Sequence, residues 1–264
     1  MSLALLAWAG FGIFVGAYGT LVGAGGGFLV VPALLWIVHA EPAFAAGTSL
    51  AVVLFNACSG TVAYARRGLV DWRTALLFAA ATVPGSLLGP GLVQRIPERA
   101  FQEAFGVLLV AISAWLMLRP GAPSQAASHR PTRRALAWGM ALSFGVGFLS
   151  SMLGIGGGVI HVPVLIYALG FPAHLAIATS HATLAMSAGV GVCEHARLGH
   201  VVWAQALPMG CGALAGAQLG AWLSQRTRIP LLIRALGLAI ALVGLRCLWV
   251  ALYGAAVGGP APSR

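Results

Sequence analysis

The sequence predicts an all-α polytopic membrane protein of two homologous, inverted helical repeats with Gly-rich broken or re-entrant segments. Three observations predict it. Of the 264 residues, 59% are hydrophobic and only 8% charged, whereas a soluble domain carries about a quarter charged residues. Stretches almost empty of charge, such as Ser2–Ala40 and Phe171–Gly191, are long enough to fill a hydrocarbon layer about 30 Å thick. Shifted by 131 residues, Gly12–Leu118 falls on Ser143–Trp249 without a gap, with 30 of 107 positions identical.

The repeat centres on Gly23-Ala24-Gly25-Gly26-Gly27-Phe28-Leu29-Val30-Val31-Pro32, which returns as Gly154-Ile155-Gly156-Gly157-Gly158-Val159-Ile160-His161-Val162-Pro163. Further matches stand at Thr48-Ser49/Thr179-Ser180, Trp72/Trp203 and Gln94-Arg95/Gln225-Arg226. Two copies are too few for a solenoid, but a duplicated half is how many transporters are built.

Each half reads as five apolar segments, at 3–22, 27–38, 44–64, 74–93 and 101–118, then at 135–153, 158–169, 174–193, 203–223 and 231–252. The second segment of each half is short for a full crossing at about 1.5 Å per residue. It reads as one part of a helix pair broken at the glycines, a geometry tolerated at membrane depth only where protein or a water-filled cavity surrounds it. The organisation is a first transmembrane repeat over 1–118, a cytoplasmic basic linker over 119–134, a second repeat over 135–253 and a disordered tail over 254–264. Met1–Leu5 lacks a basic n-region, so the first apolar run is expected to be kept.

The net charge of +10 comes from 15 arginines and no lysine. Most fall in short gaps between apolar runs, the pattern of loops that set topology, and no aromatic-interleaved basic groove suggests nucleic acid. With inverted halves, the 66–73 loop, the linker and the 226–234 loop share one side, which holds ten arginines against five and is therefore cytoplasmic. Parallel halves give the same count, so the odd number of segments per half is what favours inversion. Cys58, Cys193, Cys211 and Cys247 form no Cys-x-x-Cys pair and read as small buried hydrophobes.

The candidate site starts from the glycines. Gly25, Gly26 and Gly27, with Gly156, Gly157 and Gly158, open helices whose first N–H groups and positive dipole end attract an anion. No Gly-Lys-Ser/Thr follows, so neither run is a phosphate loop; close helix packing is the competing explanation. Thr48, Ser49, Thr179 and Ser180 each stand near the beginning of a third segment, with Asn56 and Ser187 seven residues on from each serine and on the same face. These are neutral hydrogen-bonding groups for a permeating anion, or helix glue. His181 follows Ser180 inside an apolar run, His161 sits in another, and the first half has Leu50 and Val30 there. Such histidines can carry a coupling proton. Glu194, His195 and His200 cluster beside Arg197 and read as an interface loop. Carboxylates are confined to Glu41, Asp71, Glu98, Glu103 and Glu194, and no two histidines lie at i and i+3 or i+4. No cofactor, metal or catalytic group is expected, although a membrane-embedded metal or redox enzyme and a passive channel are the alternatives.

On these motifs the chain resembles the TauE/SafE family of membrane permeases, named for sulfite export. The resemblance rests on the two Gly-Gly-Gly segments, Val31-Pro32, Val162-Pro163, the two Thr-Ser pairs, and Arg67-Gly68-Leu69-Val70-Asp71-Trp72 with Gly85 and Gly89. It implies a secondary transporter of small anions such as sulfite or organosulfur compounds, in a bacterial inner membrane, coupled to the proton or the membrane potential. The expected partners are a small anionic substrate, the lipid bilayer, a coupling proton and a second copy of the chain.

Inverted halves put Arg67 and Arg197 on opposite sides of the membrane. Cysteines at those positions, in a background lacking the native four, should react with an impermeant reagent from opposite faces. Labelling from one face would establish parallel repeats.

Overall fold

A computed structural model describes residues 3–118 and 132–257. The described chain is helical, in ten elements: α1 (Leu3–Val22), α2 (Gly27–Ile37), α3 (Pro42–Ala65), α4 (Trp72–Val93), α5 (Glu98–Leu118), α6 (Arg133–Leu153), α7 (Gly158–Pro163, running on into a π-helical turn, Val164–Ala168), α8 (Ala173–Arg197), α9 (Trp203–Arg226) and α10 (Ile229–Val257). Seven of them are long and apolar enough to cross a membrane.

Boundaries follow local chemistry. Pro42 opens α3 at a position where its missing N–H is no loss. The Asp71 carboxylate accepts from the N–H groups of Arg73 and Thr74 and so caps α4. Thr132 caps α6 by accepting from Ala135 N at 3.2 Å, so the helix starts at Arg133, inside the expected linker. At the other end α10 runs to Val257, past the expected start of the tail. Most of the linker, 119–131, and the last residues, 258–264, lie outside the described residues.

The broken pairs are present in both halves. Gly23, Gly25 and Gly26 turn the chain between α1 and α2 with φ of 80°, 79° and 84°, and Gly154 and Gly156 do so between α6 and α7 at 71° and 72°. These angles are open to glycine and strained for other residues. The 11 residues of α2 reach roughly 16 Å, half the hydrocarbon thickness.

Packing joins the halves. Helix α1 lies on α9 and α4 on α6, while α5 pairs with α10, α3 with α8 and α9, and α4 with α8. Exchanging residues by the 131-residue offset leaves this list of partners unchanged. In α3 and α8, 72% of the apolar stretch is buried, against 33–44% in the other spans, so these two form the centre.

Small residues allow the close approaches. A Cβ on Gly12 or Gly16 would run into the backbone of Met209 or Ala213 on α9. Gly212, Gly216 and Gly220 meet the Ala9, Ile13 and Ala17 carbonyls of α1 in the same way. On the α4–α6 seam, Gly85 and Gly147 play these parts against Phe144 and Thr82. This is the small-residue packing of membrane helices. The outside carries the large apolar side chains, among them Leu76, Leu88, Leu238, Leu242 and Trp249. Cys58, Cys193 and Cys211 are exposed as well, contrary to the expectation of burial, and only Cys247 is buried. In a chain whose exterior meets lipid, a small hydrophobe is as much at home outside as inside.

Gly216→Val should therefore force α1 and α9 apart and destabilise the fold by about 1–3 kcal/mol. Gly145→Ala on α6, where an added methyl has nothing within 4 Å, should leave the fold intact or stabilise it by about 0.5–1 kcal/mol. Thermal unfolding in detergent reads both.

Candidate functional site

The two glycine loops pack against each other at the middle of the molecule. A Cβ on Gly27 would stand 2.5 Å from the Gly154 carbonyl oxygen, and one on Gly158 would collide with the Gly23 carbonyl. Above Gly25 and Gly156 lie the same two side chains, Val53 and Leu184. Glycine is thus required here for approach as well as for φ.

Serines on the central helices hold this crossing together. Ser49 Oγ on α3 donates to the Gly154 carbonyl at 2.7 Å and also contacts the Gly27 carbonyl at 3.3 Å. Ser180 Oγ on α8 donates to the Gly23 carbonyl at 3.4 Å. Each serine reaches the loop of the other half. The neighbouring threonines repeat the exchange: Thr48 Oγ1 accepts from Val202 N at 3.0 Å, and Thr179 Oγ1 from Asp71 N at 3.1 Å. All four side chains are fully buried.

Asn56 serves its own loop. Its Nδ2 donates to the Gly25 carbonyl at 2.8 Å, and its Oδ1 accepts from Thr20 Oγ1 at 2.7 Å. Thr20 in turn meets His181 Nε2 at 3.2 Å, which brings His181 into the same network. Ser187, at the offset from Asn56, is too short to reach the second loop and bonds back to the Leu184 carbonyl of its own helix at 3.3 Å.

The Thr-Ser pairs do not sit at helix starts. Their helices begin earlier, at Pro42 and Ala173, because each helix extends a turn or more before the pair. The helix starts that meet at the centre are those of α2 and α7, capped at Gly26 and Gly157 without any side-chain acceptor. The start of α3 instead lines a peripheral cavity of about 550 Å³ with Glu41, Phe44, Gln94, Glu98 and His200.

The interface cluster divides in two. Glu194 and Arg197 form an ion pair at 2.6 Å on the exposed end of α8. His195 and His200 are buried, with their Nδ1 atoms 3.1 Å apart, and His195 Nε2 lies 2.9 Å from the Ser151 carbonyl. Sequence reasoning missed that Tyr64 makes the equivalent bond in the first half, donating to the Thr20 carbonyl at 2.8 Å. The signal was available, since Tyr64 and His195 are 131 residues apart, as are Thr20 and Ser151. Among the described residues no three His, Cys, Asp or Glu side chains are grouped to hold a metal ion.

Comparison with known proteins agrees with this architecture. The family model described as sulfite exporter TauE/SafE matches residues 8–247. A probable membrane transporter protein, YunE, of Bacillus subtilis is 30% identical over 92% of this chain and 96% of its own length. A probable membrane transporter protein of Xylella fastidiosa strain Temecula1 is 33% identical over 93% of this chain and 95% of its own. YfcA of Escherichia coli K12, named likewise, is 30% identical over 75% and 73%. No solved structure matches. The chain is a multi-pass membrane protein that belongs to the TauE/SafE family of membrane transporters.

Proposed function

We propose that the protein is a secondary transporter, acting as an exporter, of a small anion such as sulfite or an organosulfur compound across the bacterial cytoplasmic membrane. The substrate binds near the midplane, between two inverted halves. The observation that carries this reading is the crossing of the two glycine loops, each held by a serine of the other half. Backbone at that depth is irregular, small and buried, and the starts of α2 and α7 bring uncapped N–H groups to it. Such groups suit an anion without a buried lysine or arginine, and a neutral site releases its ion more readily than a fixed opposite charge would. The unchanged list of helix partners on exchange of halves fits a two-fold relation between them; the odd number of segments per half favours its inverted form, in which the halves rock about the crossing. The family and relatives, named as exporters and transporters, point to the same activity.

A thermal-shift panel of sulfite, thiosulfate, sulfonates and small carboxylates on detergent-purified protein identifies the ligand class. Ser49→Ala frees the Gly154 carbonyl, so it should still insert but melt earlier in detergent, and by loosening the loop it should bind tenfold to a hundredfold more weakly, equivalent to about 1–3 kcal/mol. Ser180→Ala, whose bond is the longer one, should lose less. Gly26→Val should do worse through its backbone angle, and Gly157→Val through Val146 and His161, which stand 3.0 and 3.1 Å from an added Cβ. Uptake or counterflow in proteoliposomes, with size-exclusion profiles as the folding control, is the readout. Wild-type transport in both serine variants would reduce these hydroxyls to helix packing and move the site elsewhere.

A further inference from the structure

Two histidines are buried at the heart of the molecule, and their hydrogen bonds fix the tautomer of each. The Ser143 hydroxyl has a single proton and donates it to the Gly139 carbonyl at 2.8 Å. Toward His161 Nε2, at 3.1 Å, it can only accept, so that nitrogen carries the hydrogen. Thr20 likewise donates to Asn56 Oδ1 at 2.7 Å, the amide being oriented by its own bond to Gly25. Thr20 must then accept from His181 Nε2 at 3.2 Å. Both rings are Nε2–H tautomers with a lone pair on Nδ1. Neither Nδ1 has a partner, and both residues are at most 1% exposed. A buried acceptor left bare calls for an explanation.

The two differ in what the bare nitrogen faces. In His161 the Nδ1–Cε1 edge lies over the second glycine loop: a Cβ on Gly157 would stand 3.1 Å from Nδ1 and 3.2 Å from Cε1. In His181 it is the bonded nitrogen that leads to a loop, through Thr20 and Asn56 to Gly25. The sequence offset puts Val30 and Leu50 at these places in the first half, so the titratable groups belong to one half alone.

We infer that His161 carries the coupling proton of transport, and that the anion lodges against its protonated Nδ1 at Gly156-Gly157. This rests on the reading of the chain as an anion transporter and not on the direction of transport, since a proton that travels with the anion draws it inward wherever the proton gradient points inward. A proton added to the Nδ1 lone pair makes the ring a cation with an N–H at both nitrogens, one kept by Ser143 and the other presented to the loop. The neutral ring offers an anion a lone pair, which repels it; the cation offers a donor and a charge. Proton and anion therefore favour each other's binding by the same factor. One proton also offsets one negative charge at a site where isolated charge is costly.

The other groups around the ring do not compete for that proton. Phe78 of α4 lies with its centroid 5.7 Å away, and Ser143 and Val146 come from α6. On α8, His181 turns its Nε2 to Thr20, and His195 is bonded to Ser151 and His200. In the π turn, Tyr167 lies tilted against Trp115 of α5, with ring centroids 5.9 Å apart. The charges of α5 lie in its opening turns, where Arg99 pairs with Glu103 and Glu98 accepts from Gln102. Arg133 and Arg134 are exposed at the start of α6.

The test measures binding of thiosulfate and methanesulfonate, which carry no titratable proton near neutrality, to detergent-purified protein between about pH 5 and 8, the range where histidine titrates. Wild type should bind up to about tenfold more tightly per unit fall in pH, the slope for one linked proton, and a pH dye should record about one proton taken up per anion. His161→Gln keeps an amide N–H for Ser143 but lacks the second ring nitrogen. Its affinity should be independent of pH, and its proton uptake absent. His200→Gln, at the peripheral cavity, should leave the slope unchanged. An unchanged slope in folded His161→Gln, or a slope lost in His200→Gln, overturns the assignment. If His161→Gln does not fold, wild type still decides, because anion binding with no proton uptake overturns the assignment too. Wild type that binds an anion but shows no uptake leaves the transporter reading standing, whereas wild type that binds nothing in the wider anion panel sinks both.

Discussion

A hydroxyl from one half bonded to a glycine carbonyl of the other is the contact on which the rest of this molecule depends. The chain breaks two helices at the centre of the molecule, where the glycines at the breaks are buried. Exposed to hydrocarbon, the carbonyls set free there would each cost several kcal/mol. Ser49 and Ser180 meet that demand at the Gly154 and Gly23 carbonyls, and Asn56 does so for Gly25. Once the donors for one loop come from the opposite half, the halves cannot be stable side by side. They must interlock, with α3 and α8 inside and the other spans around them. The glycines follow from the same demand, since any side chain at Gly27 or Gly158 would hold the loops out of reach.

Much of this was legible in the sequence because it is local or repetitive. The apolar segments and the glycine runs marked the helices to within a few residues, while Pro42 and the Asp71 cap start α3 and α4 two residues before the segments read at 44 and 74. The polar residues of the interior were also legible: Ser49, Asn56, Ser180 and His181 gather at the two glycine loops, while Thr48 and Thr179 bond the backbone ahead of α9 and α4. What stayed hidden was the partner of each. Hydropathy says that a serine is buried but not that its acceptor lies 105 residues away. Nor does it distinguish a helix facing lipid from one facing protein, and for that reason the exposed cysteines and the central position of α3 and α8 were out of reach.

The seams explain how a chain so poor in specific side chains reaches one arrangement. Between apolar helices in lipid there is little hydrophobic drive to associate, so shape has to supply it. Three glycines spaced four apart on α9 let it ride against the carbonyls of α1, and Gly85, Gly89 and Gly147 do the same for α4 and α6. Each seam joins a helix of one half to a helix of the other. The strongest shape complementarity therefore lies between halves, where it opposes their separation around the crossing.

Against this matched scaffold the mismatches acquire meaning. Tyr64 and His195 each bond the carbonyl of the residue 44 places earlier, at 2.8 and 2.9 Å, so the exchange of phenol for imidazole preserves the contact. The imidazole, however, has a second nitrogen, and it goes to His200, which lines the peripheral cavity. Asn56 and Ser187 part in the other direction, because only the longer side chain reaches a loop. At Val30/His161 and Leu50/His181 an apolar filler in one half is a ring with two nitrogens in the other. Duplicated positions set the geometry, and the three histidine departures each add at least one ring nitrogen beyond what that geometry needs. A carrier that binds a symmetric anion could be fully symmetric. One that must also move a proton needs a group that only one half supplies, and the second half is where this chain has placed its buried histidines.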